Sequence, residues 1–270
     1  MEYLIACDLE GIHGVVGEAY KGLLKELPDY QLAVTNAEKE INTVAKALFD
    51  CGATKVALWD NHGGMHNVNP KNIDNRVVHI DIDAIKGKPR FSFVKEHNFA
   101  GIIYLGYHSR EGTLNGVLAH TFSSVSIQYV KINGVQVGEL EIDSYICATY
   151  GIAPIFMASD DICVAQFKET ASKITSVITK IAKGRNAAEF IDEDVVLNDL
   201  YNGTCDAVKK ESNIIAIDMP IDLEIRYTRT EYAAEKVKLA NQKNIPVCYG
   251  EDAHVLRFNI NKIDDLPFLT

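Results

Sequence analysis

Residues 3–11, YLIACDLEG, decide the fold, because an apolar run in this stretch leads directly into two acids. The run at residues 3–7 predicts a buried strand that ends at Asp8 and Glu10. Side chains two positions apart on a strand share a face at a spacing of about 7 Å, so both carboxylates point to one place. Two acids are tolerable there if a cation lies between them; the alternative is that they form an ordinary helix cap or surface turn.

A helix and a second strand follow. Between residues 29 and 52, apolar side chains recur every three or four positions until Gly52, which predicts an amphipathic helix. Residues 54–60, TKVALWD, predict a strand that leads into the polar cluster DNHGG at 60–64. Strand, helix and strand in this order favour a parallel sheet whose strand carboxyl ends face a crevice.

The remaining pattern predicts an α/β protein. Expected next are strands at 76–82 and 101–108, a hairpin around Asn133-Gly134, a helix at 138–151 and a strand at 154–161. Beyond them we predict a helix at 165–182, a second helix, a strand at 214–218, a helix at 231–241 and a short strand at 245–250. The predicted architecture is a mostly parallel sheet flanked by helices, plus a smaller α+β C-terminal part, with domains at residues 1–170 and 171–270.

Composition and charge exclude several classes of partner. The formal charge is -10, with 37 acids against 27 Lys and Arg, which disfavours nucleic acid and acidic membranes. The six cysteines are scattered without a CxxC pair, a pattern typical of reduced thiols in the cytoplasm. Charged residues interrupt the apolar runs before about 18 residues, so we expect a cytoplasmic protein without a membrane span.

Strand ends and turns carry side chains that bind metal ions. These candidates are Asp8, Glu10, His62, His108 and Glu139. They exceed the three protein ligands of a typical catalytic zinc site, so two ions that share Asp8 fit better, one with Glu10 and His108 and the other with His62 and Glu139. The two imidazoles favour zinc, manganese or cobalt over magnesium or calcium. The metal site is therefore expected at the strand carboxyl ends, although a single histidine is more often structural than a ligand.

Five short motifs resemble a known family. They are DLEG at 8–11, DNH at 60–62, GYH at 106–108, AHT at 119–121 and VGE at 137–139. In order and spacing this set resembles the zinc-dependent D-aminopeptidases of the dipeptide-operon type, peptidase family M55. The resemblance is good over about residues 1–170 and loose beyond, for example at KIAKGRNA, residues 180–187. It implies two zinc ions per chain, with manganese or cobalt as substitutes, and a homo-oligomer such as a decameric ring whose active sites face an inner chamber.

His120 is the histidine of the AHT motif, and the matching histidine of the family is described as the catalytic nucleophile. We assign His120 to proton transfer or to the oxyanion instead, because water activated by two zinc ions is already a strong nucleophile. A structural turn histidine is the alternative. Asp60 and Asn61 are candidates for orienting His62, or for ordinary turn chemistry.

The predicted function is a metal-dependent aminopeptidase acting on short peptides or amides. By resemblance, the residue that it releases is a D-amino acid such as D-alanine. An amino-acid amidase and an L-specific aminopeptidase are the alternatives among enzymes of this kind. A non-catalytic dipeptide-binding protein and a metal-dependent phosphoesterase are the alternatives of other classes; for phosphate, the motif neighbourhood offers mainly Arg110.

Overall fold

The computed structural model describes residues 1–268. Its strands are β1 (Glu2–Cys7), β2 (Lys55–Asp60), β3 (Val77–His79), β4 (Phe99–Leu105), β5 (Ile127–Ile132), β6 (Val135–Val137), β7 (Pro154–Asp160), β8 (Thr175–Gly184), β9 (Ala187–Phe190), β10 (Ile221–Tyr227), β11 (Val247–Tyr249) and β12 (Val255–Ile260). Its α-helices are α1 (Pro28–Asp50), α2 (Ile82–Ile85), α3 (Glu139–Ala148), α4 (Asp161–Lys168), α5 (Glu193–Lys209) and α6 (Thr230–Gln242). Short 3-10 helices lie at Pro70–Asn72, Ser92–Glu96 and Ile263–Phe268.

The first sheet has the strand order β3-β2-β1-β4-β7-β8-β9. Its strands run parallel except for β9, which pairs antiparallel with β8 at the edge. Successive residues of β1 enter different cores: Leu4 and Ala6 face one, and Tyr3 and Ile5 face the other. This strand is therefore apolar from Tyr3 to Cys7 because both of its faces are covered.

The second sheet is antiparallel, with the order β11-β12-β10-β5-β6. Its inward side chains join those of α3 and the first sheet in one core, while α1 and α5 cover the opposite face of the first sheet. The predicted hairpin is confirmed: Asn133 and Gly134 have φ values of 51° and 81° between β5 and β6. Two consecutive positive φ values are what a tight type I′ hairpin requires. The predicted α/β architecture with an additional α+β part is confirmed as well.

Two local predictions are wrong. Residues 165–182 do not form one helix, because α4 ends at Lys168 and β8 begins at Thr175. The segment 175–181 contains five β-branched residues, which favour a strand, and β8 pairs in parallel with β7. Residues 214–218 lie outside regular structure, and the next strand, β10, begins at Ile221.

Both sheets contain strands from either side of residue 170. Strands β8 and β9 extend the first sheet, and β5 and β6 join β10 in the second. Sheet membership thus does not follow the division into residues 1–170 and 171–270, which stays a prediction about domains. Within residues 1–268, every helix is too short or too polar to cross a lipid bilayer.

Candidate metal centre

The predicted donors converge at the carboxyl ends of three adjacent parallel strands. Asp8 follows β1, His62 follows β2 and His108 follows β4. The strand ends are level, because the last residue of β1, Cys7, is paired with Asp60 on one side and Leu105 on the other. The first sheet therefore delivers one donor segment from each of these strands to the same edge.

Glu139 reaches this edge from the second sheet. It is the first residue of α3, which begins directly after the hairpin strand β6. Its Oε1 atom accepts a hydrogen bond of 2.8 Å from the backbone N–H of Phe122, in the loop that carries His120. The hairpin, the helix start and this loop therefore meet at one carboxylate.

Two glycines let the donor loops approach each other closely. Gly11 donates a backbone hydrogen bond of 2.6 Å to the carbonyl of Gly106. A Cβ on Gly11 would lie 2.1 Å from the carbonyl oxygen of Tyr107, and one on Gly106 would lie 2.1 Å from that of Asp8. Gly106 also has φ +69°, which L side chains rarely adopt. The segments around Asp8 and His108 can therefore touch only because both positions lack a side chain.

Asp8 lies between two groups of donors. One of its oxygens, Oδ1, is 2.9 Å from Nδ1 of His62, which is also 3.1 Å from Oε2 of Glu10. The other oxygen, Oδ2, is 3.6 Å from Nε2 of His108, and that nitrogen is 3.3 Å from Oε1 of Glu139. The donor atoms within each group lie within 4.8 Å of one another. Asp8 is thus the member that the two groups share.

The grouping of histidines differs from the pairing predicted from the sequence. His62 lies with Glu10, and His108 lies with Glu139. The predicted pairing was the reverse, with His108 beside Glu10 and His62 beside Glu139. A third possible group joins Glu10, His108 and His120. His120 therefore lies at the centre, within reach of both donor groups, and its own role as catalyst or ligand stays a prediction.

Hydrogen bonds from Nδ1 to backbone carbonyls fix the orientation of the His108 and His120 rings. The Nδ1–H of His108 donates to the carbonyl of Ser109 at 3.0 Å, and that of His120 donates to the carbonyl of Leu118 at 2.8 Å. The rings stack with centroids 3.9 Å apart and planes 13° apart. Both Nε2 atoms therefore face the carboxylates, at 3.3 Å and 3.9 Å from Oε1 of Glu139. A backbone carbonyl behind a metal-binding imidazole sets its tautomer in this way.

The donor set fits divalent transition-metal ions. Asp8, Glu10 and Glu139 are at least 93% buried, so three carboxylates share a small volume away from water. The Nε2 atom of His108 is also buried and is not aligned for a hydrogen bond, although Glu139 is near. Buried carboxylates and an imidazole nitrogen with no aligned partner are accounted for if cations lie between them.

Without a metal, His62 and His108 are positively charged near neutral pH. Burial opposes a charge on His62, but the nearby Glu10 and Asp8 carboxylates raise its pKa to about 11. Burial likewise opposes a charge on His108, but Glu139 and the other acids raise its pKa to about 10. Burial and the neighbouring Glu10 raise the pKa of Asp8 to about 7. The imidazolium ions thus balance charge that metal ions would otherwise balance.

His120 behaves differently from these two histidines. Burial and the positive charge of His108 lower the pKa of His120 below its ordinary value. His120 is therefore neutral near pH 7, with its proton on Nδ1 and a free electron pair on Nε2.

Asp60 holds the loop of His62 rather than its ring. Its carboxylate accepts hydrogen bonds from the backbone N–H groups of Asn67 and Val68 and from the Asn67 side chain. The same Asn67 amide donates to the carbonyl of His62 at 2.8 Å. Asp60 therefore makes ordinary turn hydrogen bonds, and these bonds also hold the loop that carries the donor His62.

Sequence reasoning missed two basic residues that support the centre. The ammonium of Lys180, which is fully buried, donates to the carbonyls of Glu10 and Ile12 at 2.5 and 2.8 Å. Arg185 donates to the carbonyl of Ala119, and its own carbonyl accepts from Leu118 at 2.8 Å. Lys180 lies in β8, within the segment predicted to be a helix, and Arg185 directly follows β8. The available signal was a lysine inside a run of β-branched residues, where only a partnered charge is stable.

Buried carboxylates and imidazoles at the strand carboxyl ends of a parallel α/β sheet are suited to hold metal ions, an arrangement that metal-dependent hydrolases use. The family model described as Peptidase_M55, D-aminopeptidase, matches residues 1–264. The chain belongs to this family, and the predictions of the family and of a metal-dependent peptidase are confirmed.

A sequence match and a structural match agree with this assignment. A D-aminopeptidase of Bacillus subtilis (strain 168) is 28% identical over 195 residues, which cover 71% of this chain and 68% of that protein. The solved structure of the Zn-dependent D-aminopeptidase DppA from Bacillus subtilis, described as a self-compartmentalizing protease, superposes with a TM-score of 0.85. That match covers 98% of this chain and 93% of the other at 22% identity, and it shows that the fold is shared.

Proposed function

We propose that the chain is a binuclear zinc aminopeptidase that releases the N-terminal residue from short peptides or amides. The observation that supports this most strongly is the position of Asp8, whose two oxygens face different histidines. One ion would be held by Asp8, Glu10 and His62, and the other by Asp8, His108 and Glu139. A carboxylate shared in this way is typical of a two-metal site.

The choice of zinc rests on the ligand types and on the relatives. Mixed imidazole and carboxylate donors suit zinc, with manganese and cobalt as possible substitutes. The DppA protease, which shares the fold, is described as Zn-dependent. The five ligands Asp8, Glu10, His62, His108 and Glu139 together bring three negative charges, fewer than the four positive charges of two divalent ions.

The catalytic steps can be assigned to side chains of this chain. Bound zinc supplies Lewis-acid polarisation of the scissile carbonyl and activation of water. His120 is neutral and presents its free Nε2 pair to the site, so it can accept a proton there and return it to the leaving amine. The hydrogen bond from Nδ1 to Leu118 keeps the ring in the required tautomer while this happens.

The description of the family supports the proposed substrate preference. The family is described as D-aminopeptidase, and the related Bacillus protein has the same description. The proposed substrate is a short peptide or amide whose first residue is a D-residue such as D-alanine. A homo-oligomer is part of the proposal, because the DppA relative is described as self-compartmentalizing; a decameric ring is the form proposed.

A substrate panel with zinc restored tests the activity. D-Ala-D-Ala, L-Ala-L-Ala and D-Ala-amide should be compared, and we expect fast release of D-alanine from the first. Hydrolysis of the L-dipeptide alone would overturn the D-specificity, and hydrolysis of the amide alone would indicate an amidase. Stoichiometric peptide binding without product after long incubation would indicate a binding protein, and turnover of nitrophenyl phosphate alone would indicate a phosphoesterase.

A further inference from the structure

A chain of hydrogen bonds runs behind the metal centre and involves none of the six predicted site residues. The side-chain amide of Asn61 donates to the hydroxyl of Tyr107 at 3.0 Å. That hydroxyl donates to Oδ2 of Asp143 at 2.8 Å. Arg90 closes the chain with two hydrogen bonds to the Asp143 carboxylate, at 2.5 and 2.8 Å.

Each of the first three members is attached to a different donor segment. Asn61 directly precedes His62, and Tyr107 directly precedes His108. Asp143 lies four residues after Glu139 on α3, so it stands one helical turn along the same helix. The chain therefore connects the three segments that carry His62, His108 and Glu139.

The chain is buried, which makes its geometry directional. Tyr107 is 1% exposed and Asp143 is 0% exposed. The Asp143 carboxylate can only accept, so the Tyr107 hydroxyl is the donor in this bond and is left free to accept from Asn61. An unpaired carboxylate would be costly at this depth, and the guanidinium of Arg90 supplies the paired charge. Arg90 is itself held over the ring of Trp59, with 4.6 Å between the guanidinium carbon and the ring centroid.

The Tyr107 hydroxyl is the central member. Through Asn61 it reaches the donor group of Asp8, Glu10 and His62, and through Asp143 it reaches the helix that carries Glu139. Removing this one oxygen would separate the two halves of the chain and leave the backbone of both donor groups in place. The distance between the groups would then depend on the strand pairing and on the remaining hydrogen bonds, such as that from Phe122 to Glu139.

We propose that Tyr107 is a positioning residue that sets the spacing of the two donor groups, and that Asn61, Asp143 and Arg90 act through it. This inference rests on the proposed two-zinc function. Residues that hydrogen-bond a metal ligand directly typically change metal affinity about 10- to 100-fold when they are replaced. The Tyr107 hydroxyl acts one residue away from the ligands, so we expect Tyr107→Phe to weaken zinc binding by about 10-fold, the lower end of this range, while the fold is retained.

Tyr104 provides a matched control. It is a buried tyrosine on β4, its ring centroid lies 5.0 Å from that of Tyr107, and its hydroxyl bonds to Ser144 at 3.1 Å. Tyr104→Phe therefore removes an equally buried hydroxyl that joins β4 to α3 but makes no contact with Asn61, so the segment of His62 is not involved. Asn61→Ala is a second variant, which breaks the chain at the end next to His62.

The experiment measures zinc affinity by competition with a chelator, together with the visible spectrum of the cobalt-substituted protein and urea unfolding of the metal-free protein. We expect Tyr107→Phe and Asn61→Ala to lower zinc affinity and alter the cobalt spectrum. Tyr104→Phe should leave zinc affinity and the cobalt spectrum unchanged. In urea unfolding it should destabilise the metal-free protein about as much as Tyr107→Phe does. Equal zinc affinity in Tyr107→Phe and wild type, or an equal loss in Tyr104→Phe, would overturn the positioning role.

The two proposals fail in distinguishable ways. A wild-type protein that binds fewer than two zinc ions would overturn the proposed function and the inference that rests on it. A wild type with two zinc ions and an unaffected Tyr107→Phe variant would overturn the positioning role alone.

Discussion

Zinc loading of the metal-free protein should release about two protons per chain at pH 7, because zinc must displace protons from its imidazole ligands. The ligands His62 and His108 have pKa values of about 11 and about 10 in the absence of metal, so both are protonated near neutrality. Asp8, with a pKa of about 7, adds about half a proton more. Glu10 and Glu139 add none, because nearby histidines outweigh burial and lower the pKa of both.

The release can be measured by calorimetric titration of stripped protein with zinc in two buffers of different ionisation enthalpy. The variant His62→Gln should release about one proton fewer. A control is His97→Gln, because His97 lies just before β4, at the opposite end of the sheet, where it contacts Lys55. Burial and Lys55 lower the pKa of His97, so this variant should match the wild type.

The same reasoning sets the sign of the pH dependence. Protons compete with zinc at both histidines, so apparent affinity should rise with pH by about tenfold per displaced proton for each pH unit. This rise should continue until the pH approaches the raised pKa values of His62 and His108. Release of less than about half a proton, or a zinc affinity that stays constant between about pH 6.5 and 8.5, would refute the reasoning.

Three substitutions test other parts of the centre. His120→Ala should lower turnover by about 10²- to 10⁴-fold while elemental analysis finds zinc unchanged, and a parallel fall in zinc would place His120 among the ligands. Lys180→Met should cost about 2–4 kcal/mol in urea unfolding, because it leaves the buried carbonyls of Glu10 and Ile12 without donors. The exposed control Lys183→Met should change the free energy of unfolding by no more than about 0.5 kcal/mol. An equal loss of stability in both variants would contradict the role of Lys180. Gly11→Ala should cost about 3 kcal/mol because its Cβ would meet the Tyr107 carbonyl, whereas Gly64→Ala, which has open space around it, should be nearly neutral in the same assay.

The location of the donors was predictable from local sequence. An apolar strand that ends in Asp8, and further strands that end near His62 and His108, indicate one edge once the sheet is known to be parallel. Each of these predictions needed only the period of the apolar residues and the direction of the strands.

The partners of each donor were not predictable in this way. Whether His62 meets Glu10 or Glu139 depends on where the hairpin and α3 lie over the first sheet, which involves contacts between distant parts of the chain. The second sheet combines residues 127–137 with residues 221–260, so its own local patterns do not reveal the pairing. The strand β8 was predicted to be a helix because its apolar residues are spaced irregularly, which is compatible with the period of a helix or of a strand. Its pairing with β7 makes it a strand.

The central claim is that two metal ions lie between these acids and imidazoles. The most direct test is the zinc-to-chain ratio, found by elemental analysis of protein that has been stripped, reloaded and freed of excess zinc. The account predicts two zinc ions per chain, both lost together with activity on chelation and both restored on reloading. A ratio of one, or an active protein without zinc or another divalent metal, would contradict it.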